Sequence, residues 1–598
     1  MSANLTGVAV AVVPQEACVS QGGAADGPVH GTRATPSDAV VWASLLTAAT
    51  VVIAPYLIRG YTVGHDTGIH MSWWLEMARL FREGVFHPRW APGAYYGYGE
   101  PAFLFYPPLS LYIGGLLTLL LPFRLALGVY VWVVAVLAGF SFFHLCRHFF
   151  DRRAALLGAL VYVLNPYHLL EIHARCSLAE LLVSVWFPLL LLAIYRFNEA
   201  GTRRIAIAAA CFAAIALTNV PLTVISGYGA LTFVLTLMLA RKSGIQPIVK
   251  SAFAITLGAG VAAFFLVPAW AEKPWVVASV HAIVPPAAQM VPLGMPHGHF
   301  GFALAVVEFG QIILGGIAWM FCRRMKSRDA FWAFSALFFL SVLIVLPLSA
   351  ALWRSAPALV YVQFPWRWLG PMGLALSFFV AAIVQRFRSG FLFAAGVCML
   401  GLLTVAAFTV MIDLKADSLL ASLQNSIAAG RGYLAWAYVL PRDVKIDQFG
   451  VPYYLTPGEA PILAVGSEEA TGAISSGNVA APSSGADAPR IAITHWSSEA
   501  RDFVVDTPQP AWIRVRLFWF PGWLAYVNGK ALDAVTTNAR GALLLHLPSG
   551  QNHVELVYRG TRDQKVGMVI SFVCLILLLV MLRKRSEAGV SSIASGLT

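Results

Sequence analysis

Long apolar runs alternate with short polar segments along most of the chain. Each run is roughly 17 to 22 residues long, the length that an α-helix needs to cross about 30 Å of hydrocarbon. The pattern predicts a mainly α, polytopic membrane protein with about twelve transmembrane helices. We place these near 39–58, 125–146, 154–170, 178–195, 205–220, 222–240, 251–270, 302–322, 330–350, 368–385, 391–411 and 566–583.

The distribution of Lys and Arg decides whether a thirteenth apolar run, at 103–122, also crosses. If it does not, 18 basic residues fall in loops and tail on one side, against four in the short loops between later helices on the other side. Because Lys and Arg concentrate on the cytoplasmic side, we predict that both termini are cytoplasmic. The run at 103–122 is then a re-entrant or juxtamembrane segment, bent at Pro107–Pro108.

Residues 412–565 follow a different pattern, with six short β-like runs after a Ser- and Gly-rich stretch at 465–489. Asn528–Gly529 between two such runs predicts a hairpin, and residues 548–550 supply a second turn. We therefore expect a small extracytoplasmic antiparallel β-sandwich. The predicted organisation is a disordered cytoplasmic tail at 1–37, a membrane domain at 38–411 with its first external loop at 59–124, an extracytoplasmic region at 412–565 with the sandwich at about 490–562, and a final helix with cytoplasmic tail at 566–598.

Composition supports the membrane assignment. The 598 residues are 58% hydrophobic and 12% charged, with a mean hydropathy of +0.71, whereas soluble proteins are about 25% charged. The net charge of +12 does not indicate a nucleic-acid partner, because the basic residues lie in short runs between apolar segments. The seven cysteines are scattered, which predicts neither a disulfide framework nor a CxxC-type metal site.

Candidate catalytic residues follow the first apolar run, in the sequence GHDTGIHMSWW. Asp66 is the first candidate, because a carboxylate at the edge of a low-dielectric cavity can accept a proton from a substrate hydroxyl. The alternative is that Asp66 caps a helix beginning near Ile69. His65 and His70 are candidates beside it. The three residues could also bind a divalent cation such as Mg²⁺ or Mn²⁺, although hydrogen-bonding roles fit this spacing better and no metal site is assigned.

A second group of candidates lies in the other external loops. Arginine forks pair with phosphate, so Arg175 and Arg367 are candidate ligands of a lipid-linked phosphate; the alternative is that they reach lipid head groups. Glu180 and Glu272, each at the edge of a helix, are candidate partners of these arginines. The remaining candidate substrate-binding residues are Lys273, Gln363 and Tyr106.

Other polar residues in these loops have simpler interpretations. Trp73 and Trp74 fit the apolar side of an interfacial helix whose wet side carries Glu76, Arg79 and Arg82. The fourth external loop also holds His281, His297 and His299, and the last two fit ordinary solvated side chains.

The order of several motifs resembles bacterial membrane proteins of the GT-C glycosyltransferase superfamily. These are GHDTGIH, HPRWAPGAYYGYGEPAFLFYPPL, ARCSLAELLVSVWFPL, LTNVP, FFLVPAWAE and VQFPWRW. Within it, the chain is most similar to a group whose label refers to a pyruvoyl-tetrahydropterin synthase. The resemblance implies transfer of a sugar from a polyprenyl-phosphate donor on the external leaflet. It also implies that Asp66 corresponds to an essential acid, although Thr67 and Gly68 replace the DxD-type pair of some branches.

The resulting hypothesis is an inverting glycosyltransferase of the bacterial inner membrane, with its active site facing the exterior. Asp66 is the general base, and the acceptor is a lipid, glycan or protein. Two other classes remain open, a transporter or flippase of lipid-linked saccharides and a non-catalytic scaffold for envelope assembly. Inverted repeats, which many transporters show, are not visible in the sequence.

Overall fold

A computed structural model describes most of the chain. The described residues are 36–60, 64–197, 201–277, 290, 299–323, 325–411, 416–434, 440–442, 444, 459–465, 488–532, 536–538 and 541–583.

The described helices form the predicted polytopic membrane domain. In chain order they are α1 Asp38–Val52, α2 Ala54–Arg59, α3 Thr67–Arg82, α4 Ala94–Gly97, α5 Ala102–Phe105, α6 Pro108–Leu120, α7 Phe123–Arg147, α8 Arg152–Val163, α9 Pro166–Leu170, α10 Leu178–Tyr195, α11 Gly201–Ala216, α12 Val220–Arg241, α13 Gln246–Val261, α14 Ala263–Ala271, α15 His299–Cys322, α16 Arg328–Val345, α17 Ala350–Ser355, α18 Leu369–Arg386, α19 Gly390–Met411, α20 Ala416–Ala428 and α21 Arg562–Arg583. A π-helical turn at Glu171–Arg175 extends α9, and 3₁₀ turns occupy Lys273–Trp275, Pro347–Ser349, Leu359–Val362 and Pro365–Trp368.

Nine helices in the described part of the chain are long and apolar enough to cross a membrane. A tenth candidate is the pair α13–α14, which is bent by 77°. Two of the twelve predicted spans form helices shorter than the 18 residues counted here as long enough to cross a membrane. The run at 39–58 divides into α1 and α2 at Ile53, and the run at 205–220 forms the 16-residue α11. The fold class is confirmed, with fewer full-length spans than the twelve predicted.

The segment at 103–122 does not form a continuous span. Tyr106 and Pro107 have extended backbone angles and separate α5 from the 13-residue α6. At 1.5 Å per residue, α6 is about 20 Å long, too short to cross the hydrocarbon layer. The bend falls at the predicted Pro107–Pro108 pair, where proline supplies no backbone donor for helix continuation.

Helix ends that carry the predicted cytoplasmic arginines meet one another at one end of the bundle. The Arg241 Nε donates to Asp329 Oδ2 over 2.7 Å, and its guanidinium lies 4.3 Å from the centre of the Tyr195 ring. Lys250 Nζ donates to the Phe197 carbonyl over 3.2 Å. These contacts join the C-terminal ends of α10 and α12 to the N-terminal turns of α13 and α16.

The C-terminal part of the chain forms two packed antiparallel sheets from strands β3 to β11. The described strands of the chain are β1 Val276–Val277, β2 Leu440–Pro441, β3 Ile462–Val465, β4 Arg490–Trp496, β5 Ala500–Thr507, β6 Ala511–Phe518, β7 Trp523–Val527, β8 Lys530–Ala531, β9 Thr536–Thr537, β10 Ala542–Leu547 and β11 Gly550–Tyr558. One sheet has the order β3-β6-β10-β9 and the other β4-β5-β11-β7-β8, while β1 pairs only with β2.

Two turns within the sandwich have different roles. Asn528 and Gly529 adopt φ of 50° and 76° between the paired strands β7 and β8, which confirms the predicted hairpin. The turn at 548–550 instead carries the chain from β10 in one sheet to β11 in the other. The sandwich also begins earlier than about 490, because β3 pairs with β6.

The loop at 59–124, predicted as the first external loop, packs between the membrane domain and the sandwich. Trp90 lies 5.9 Å from Trp523 and 6.3 Å from Phe520, ring centre to ring centre. Tyr98 accepts a backbone hydrogen bond from Phe518 over 2.9 Å and donates its hydroxyl to Glu459 over 2.7 Å. The sandwich therefore lies on the same side of the helices as the loop that contains Asp66.

Candidate active site

Asp66 stands at the N-terminus of α3, next to the end of the π-helical turn. Its backbone N–H donates to the Arg175 carbonyl over 2.8 Å, and the His65 N–H donates to Ala174 over 3.3 Å. Gly64 makes this approach possible, because a Cβ there would lie 2.9 Å from the Arg175 carbonyl carbon. Two external loops distant in sequence are thus joined at Asp66.

The side chain of Asp66 is not used to cap the helix. Asp66 occupies the N-cap position but makes no side-chain capping hydrogen bond, and it is partly exposed. Its carboxyl group therefore lies at the surface of the site, beside the N-terminus of α3.

Beneath Asp66 lies a buried cluster of two arginines and two glutamates, here called the charge cluster: Arg175, Arg367, Glu171 and Glu180. Arg175 donates from both terminal nitrogens to the two Glu180 oxygens, over 2.8 and 2.9 Å. Arg367 Nε donates to the same carboxylate over 2.7 Å. The Glu180 side chain is only 1% exposed, so these bonds form in a water-poor environment where charges interact strongly.

The second carboxyl group of the cluster belongs to Glu171, which is also buried and lies within electrostatic range of Glu180, Arg175 and Arg367. Two guanidinium groups and two carboxyl groups therefore share one water-poor region. Asp66 lies within electrostatic range of Arg175.

The structure revises the expected role of the arginine forks. The Arg175 fork is already occupied by Glu180, and Arg367 Nη1 donates to Val362 and Gln363 over 2.7 and 3.1 Å. The cavity next to the two glutamates measures about 20 Å³, room for little more than one water. A phosphate therefore does not fit among these side chains.

His65 and His70, which flank Asp66 in the sequence, differ in burial. His65 is exposed, with its ring centre 4.8 Å from that of Phe300. His70 is buried, and burial lowers its pKa to about 4, although Asp66 and Glu180 act in the opposite direction. Its Nδ1 has no hydrogen-bond partner. At neutral pH His70 is an uncharged imidazole and a weak base.

Within the described ranges, no three His, Cys, Asp or Glu side chains are grouped closely enough to hold a metal ion. The structure therefore does not assemble His65, Asp66 and His70 as a ligand set.

The remaining candidates divide between the site and its surroundings. Gln363 accepts a bond from Arg367, and the Tyr106 ring centre lies 6.3 Å from that of His70. Lys273 is exposed, and its Nζ lies 5.3 Å from the centre of the Tyr361 ring, close in sequence to Gln363. Gln363 and Tyr106 therefore lie beside site residues, whereas Lys273 lies beside Tyr361.

Glu272 lies elsewhere, so its expected pairing with the arginines is wrong. It accepts hydrogen bonds from Thr561 and, over 3.4 Å, from Gln564 at the start of α21. Burial raises its pKa. Glu272 therefore anchors the final helix to the end of α14.

Glu76 was expected on the wet side of an interfacial helix, and this is also wrong. Its carboxylate is fully buried, accepts a bond from Gly93 over 3.1 Å and lies 4.0 Å from Arg79. Burial raises its pKa to about 7. Trp73 and Trp74 are buried too, because α3 packs under the loop instead of lying on the bilayer surface.

Glu100 is a buried acid that sequence reasoning did not identify. Both of its oxygens are buried, and burial raises its pKa well above the usual range. The only sequence signal is its position within GYGEPAFLFYPPL. Residues 1–35, 281 and 297 lie outside the described residues; residue 299 begins α15, and its side chain is not described.

A family comparison matches a large part of the chain. The family described as "6-pyruvoyl-tetrahydropterin synthase related domain; membrane protein" matches residues 103–414. No curated protein matches the chain.

Comparison with solved structures gives remote similarities. The arabinofuranosyltransferase AftD from Mycobacteria is 13% identical, with a TM-score of 0.40 over 67% of this chain and 27% of its own. The Archaeoglobus fulgidus oligosaccharyltransferase is 15% identical, with a TM-score of 0.40 over 67% of this chain and 57% of its own. ArnT from Cupriavidus metallidurans is 15% identical, with a TM-score of 0.29 over 58% of this chain and 77% of its own. The chain thus spans less than two thirds of the first two proteins, and similarity at these scores carries no activity over to it.

Proposed function

This chain belongs to the family of 6-pyruvoyl-tetrahydropterin synthase related membrane proteins, and on that premise we propose that it is a membrane glycosyltransferase. Its donor is a sugar linked to a polyprenyl phosphate, and its acceptor is an extracytoplasmic lipid, glycan or protein. The observation that carries the proposal is the carboxyl group of Asp66, which makes no capping hydrogen bond, is held by its own backbone against Arg175 and lies beside the buried charge cluster.

Asp66 acts as the general base. Its carboxylate takes the proton of an acceptor hydroxyl, and the resulting oxygen attacks the anomeric carbon of the donor sugar with inversion. The bond between that carbon and the phosphate oxygen breaks, and the electron pair leaves with the polyprenyl phosphate. Proton transfer of this kind contributes about 10²- to 10⁴-fold to a rate.

The charge cluster stabilises the leaving phosphate. Arg175 and Arg367 are fixed by Glu180 before the reaction begins, so no reorganisation is needed as negative charge develops. Tyr106, Lys273 and Gln363 are proposed to position donor and acceptor. The exposed apolar side chains of α6, such as Leu116 and Leu120, suit the isoprenoid tail. The basic residues of the opposite helix ends support an external active site in a bacterial inner membrane.

The test measures donor cleavage by the purified full-length protein in detergent. A panel of polyprenyl-phosphate-linked hexoses and pentoses is incubated with an envelope extract as acceptor, and free polyprenyl phosphate is measured by mass spectrometry. Wild type is expected to release the lipid from at least one donor. Asp66→Asn should lower that rate by about 10²- to 10⁴-fold without lowering the amount of folded protein.

The matched control is Asp506→Asn, which removes an exposed acid of the sandwich on the same side and should leave the rate unchanged. Transfer in detergent excludes transport as the measured activity, since no bilayer separates two compartments. Equal rates for wild type and Asp66→Asn would rule out the proposed base.

A further inference from the structure

A cavity of about 190 Å³ lies between the first external loop and the sandwich, apart from the candidate active site. About 10–15 Å³ of such space holds one water, so a phosphate or a single sugar ring fits. Three arginines line this basic cavity, Arg79, Arg501 and Arg516, together with Trp496; none of the described lining residues is acidic. Glycines at 93 and 97 form part of its wall without side chains.

Arg501 is a buried cation without a counter-charge among the described residues. Its side chain is 1% exposed, and the guanidinium carbon lies 4.8 Å from the centre of the Trp496 ring and 5.0 Å from that of Trp523. Its Nε has no partner, and Nη1 donates only a long bond of 3.4 Å to the Arg516 carbonyl. Burial, followed by the charges of Arg516 and Arg79, lowers its pKa to about 9.

Arg516 is also incompletely neutralised. Its Nη1 donates to the Glu459 carbonyl over 2.8 Å, and its buried Nε has no partner. The Glu459 carboxylate is engaged by Arg514 and by the Tyr98 hydroxyl. Arg79 pairs with Glu83 at 2.9 Å and lies 4.0 Å from Glu76, and Arg516 lies within electrostatic range of the Glu459 carboxylate.

We propose that the basic cavity binds the carboxylate or phosphate substituent of an extracytoplasmic saccharide. Buried charges are normally paired, and an anion would supply the counter-charge that Arg501 lacks among the described residues and that Arg516 shares with Arg514 through Glu459. The exposed part of Trp496 offers an apolar surface to a sugar ring. Strands β4 and β5 and the first external loop supply much of the wall, which suits a glycan approaching from the aqueous side better than a lipid.

The experiment is isothermal titration calorimetry of the purified full-length protein in a neutral detergent, with glucuronate, inorganic phosphate and glucose as probes. Glucuronate and phosphate are expected to bind, and glucose to bind at least about tenfold more weakly. Arg516→Gln should weaken both anions about tenfold, since one charge-assisted hydrogen bond contributes that much. Arg516→Lys should restore part of the affinity.

Two variants make the result specific. Arg490→Gln removes an exposed cation of β4 that does not line the cavity and should bind both anions as wild type does. Asp66→Asn should also bind normally, so a failed transferase test leaves this site unaffected. Equal binding of glucose and glucuronate, equal losses in Arg516→Gln and Arg490→Gln, or displacement by phosphatidylglycerol without glucuronate binding would each overturn the proposal.

Discussion

Glu180 is the residue on which the charge cluster depends, because both arginines bind its carboxylate. We predict that Glu180→Gln destabilises the protein by about 3–5 kcal/mol, the usual effect of leaving a buried charge without its partner. The measurement is the free energy of unfolding of the purified protein by denaturant, monitored by tryptophan fluorescence.

Asp329→Asn is the matched control for that substitution. It breaks an ion pair with Arg241 whose side chains are 22% and 25% exposed, and pairs with this access to water contribute about 1 kcal/mol or less. Similar losses in both variants would show that the charge cluster has no special importance for the fold.

Glu76 makes stability depend on pH. Its pKa is raised from 4.5 to about 7, so the unfolded chain ionises at lower pH than the folded protein. The wild-type free energy of unfolding should therefore fall as pH rises from about 4.5 to about 7, and then level off. Glu76→Gln should remove about 3 kcal/mol of this fall, as measured by denaturant unfolding at pH 5, 6, 7 and 8.

The wild type itself provides the internal control, because other titrating groups act equally in both proteins. Only the difference between wild type and Glu76→Gln is attributed to this carboxyl. A difference that stays constant from pH 5 to pH 8 would contradict the shifted titration.

At this scale the sequence identified most of the polar residues that converge, but not how they are paired. Positive charges at 175 and 367 and acids at 66 and 180 could be assigned to one side from topology alone. That Glu180 occupies the arginines could not be predicted, because side-chain pairing depends on packing between helices. The burial of Glu76 had a signal: it lies three residues after Trp73 and four before Leu80, on the same helix face.

Among the elements, the contact between α3 and α6 depends on two glycines of α6. A Cβ at Gly114 would lie 1.9 Å from the fully buried Trp74 ring, and one at Gly115 would lie 2.5 Å from Met77. Gly114→Ala is therefore predicted to destabilise the protein by about 1–3 kcal/mol through overpacking. Thermal unfolding followed by tryptophan fluorescence provides the measurement.

Gly128→Ala in α7 is the control, because a Cβ there would meet nothing within 4 Å. Since alanine favours helix over glycine by about 1 kcal/mol, this variant should be as stable as wild type or slightly more stable. The prediction fails if the two substitutions shift the unfolding temperature in the same direction by the same amount.

Elements with strong periodicity were predictable, and those formed by long-range pairing were not. The apolar runs and the strands β4 to β8, β10 and β11 follow patterns visible within 5 to 25 residues. The four-residue β3 joins the sandwich only by pairing with β6, about 50 residues later, so nothing local marks it. The same reason explains why the turn at 548–550 could be recognised while its crossing between sheets could not.

For the whole molecule, the orientation in the membrane is the main prediction. Cysteine introduced as Arg490→Cys, in the sandwich, should react with a membrane-impermeant maleimide in intact cells with a permeable outer envelope. Cysteine introduced as Arg388→Cys, in the loop after α18, should react only after lysis. Both positions are exposed, so the difference reports membrane side; the native cysteines, measured in wild type, give the background.

Labelling of both positions from the same side would contradict the prediction that the sandwich and the loop after α18 lie on opposite sides of the membrane. Labelling of Arg388→Cys alone in intact cells would reverse the orientation and place Asp66 on the cytoplasmic side. The topology itself could be predicted because loop charge is a local property. The basic cavity was not predicted, since it exists only where the first loop meets the sandwich.

The hydrogen bond between Tyr98 and Glu459 joins residues 361 positions apart. At translation speeds of about 5–20 residues per second, the ribosome needs roughly 20 to 70 s to synthesise the chain between them. During that interval Trp90 and Tyr98 have been synthesised, but the sandwich residues that cover them have not. Each newly made molecule therefore passes through an incompletely packed intermediate. An envelope chaperone would bind its exposed aromatic side chains, and a protease would cleave its unprotected backbone.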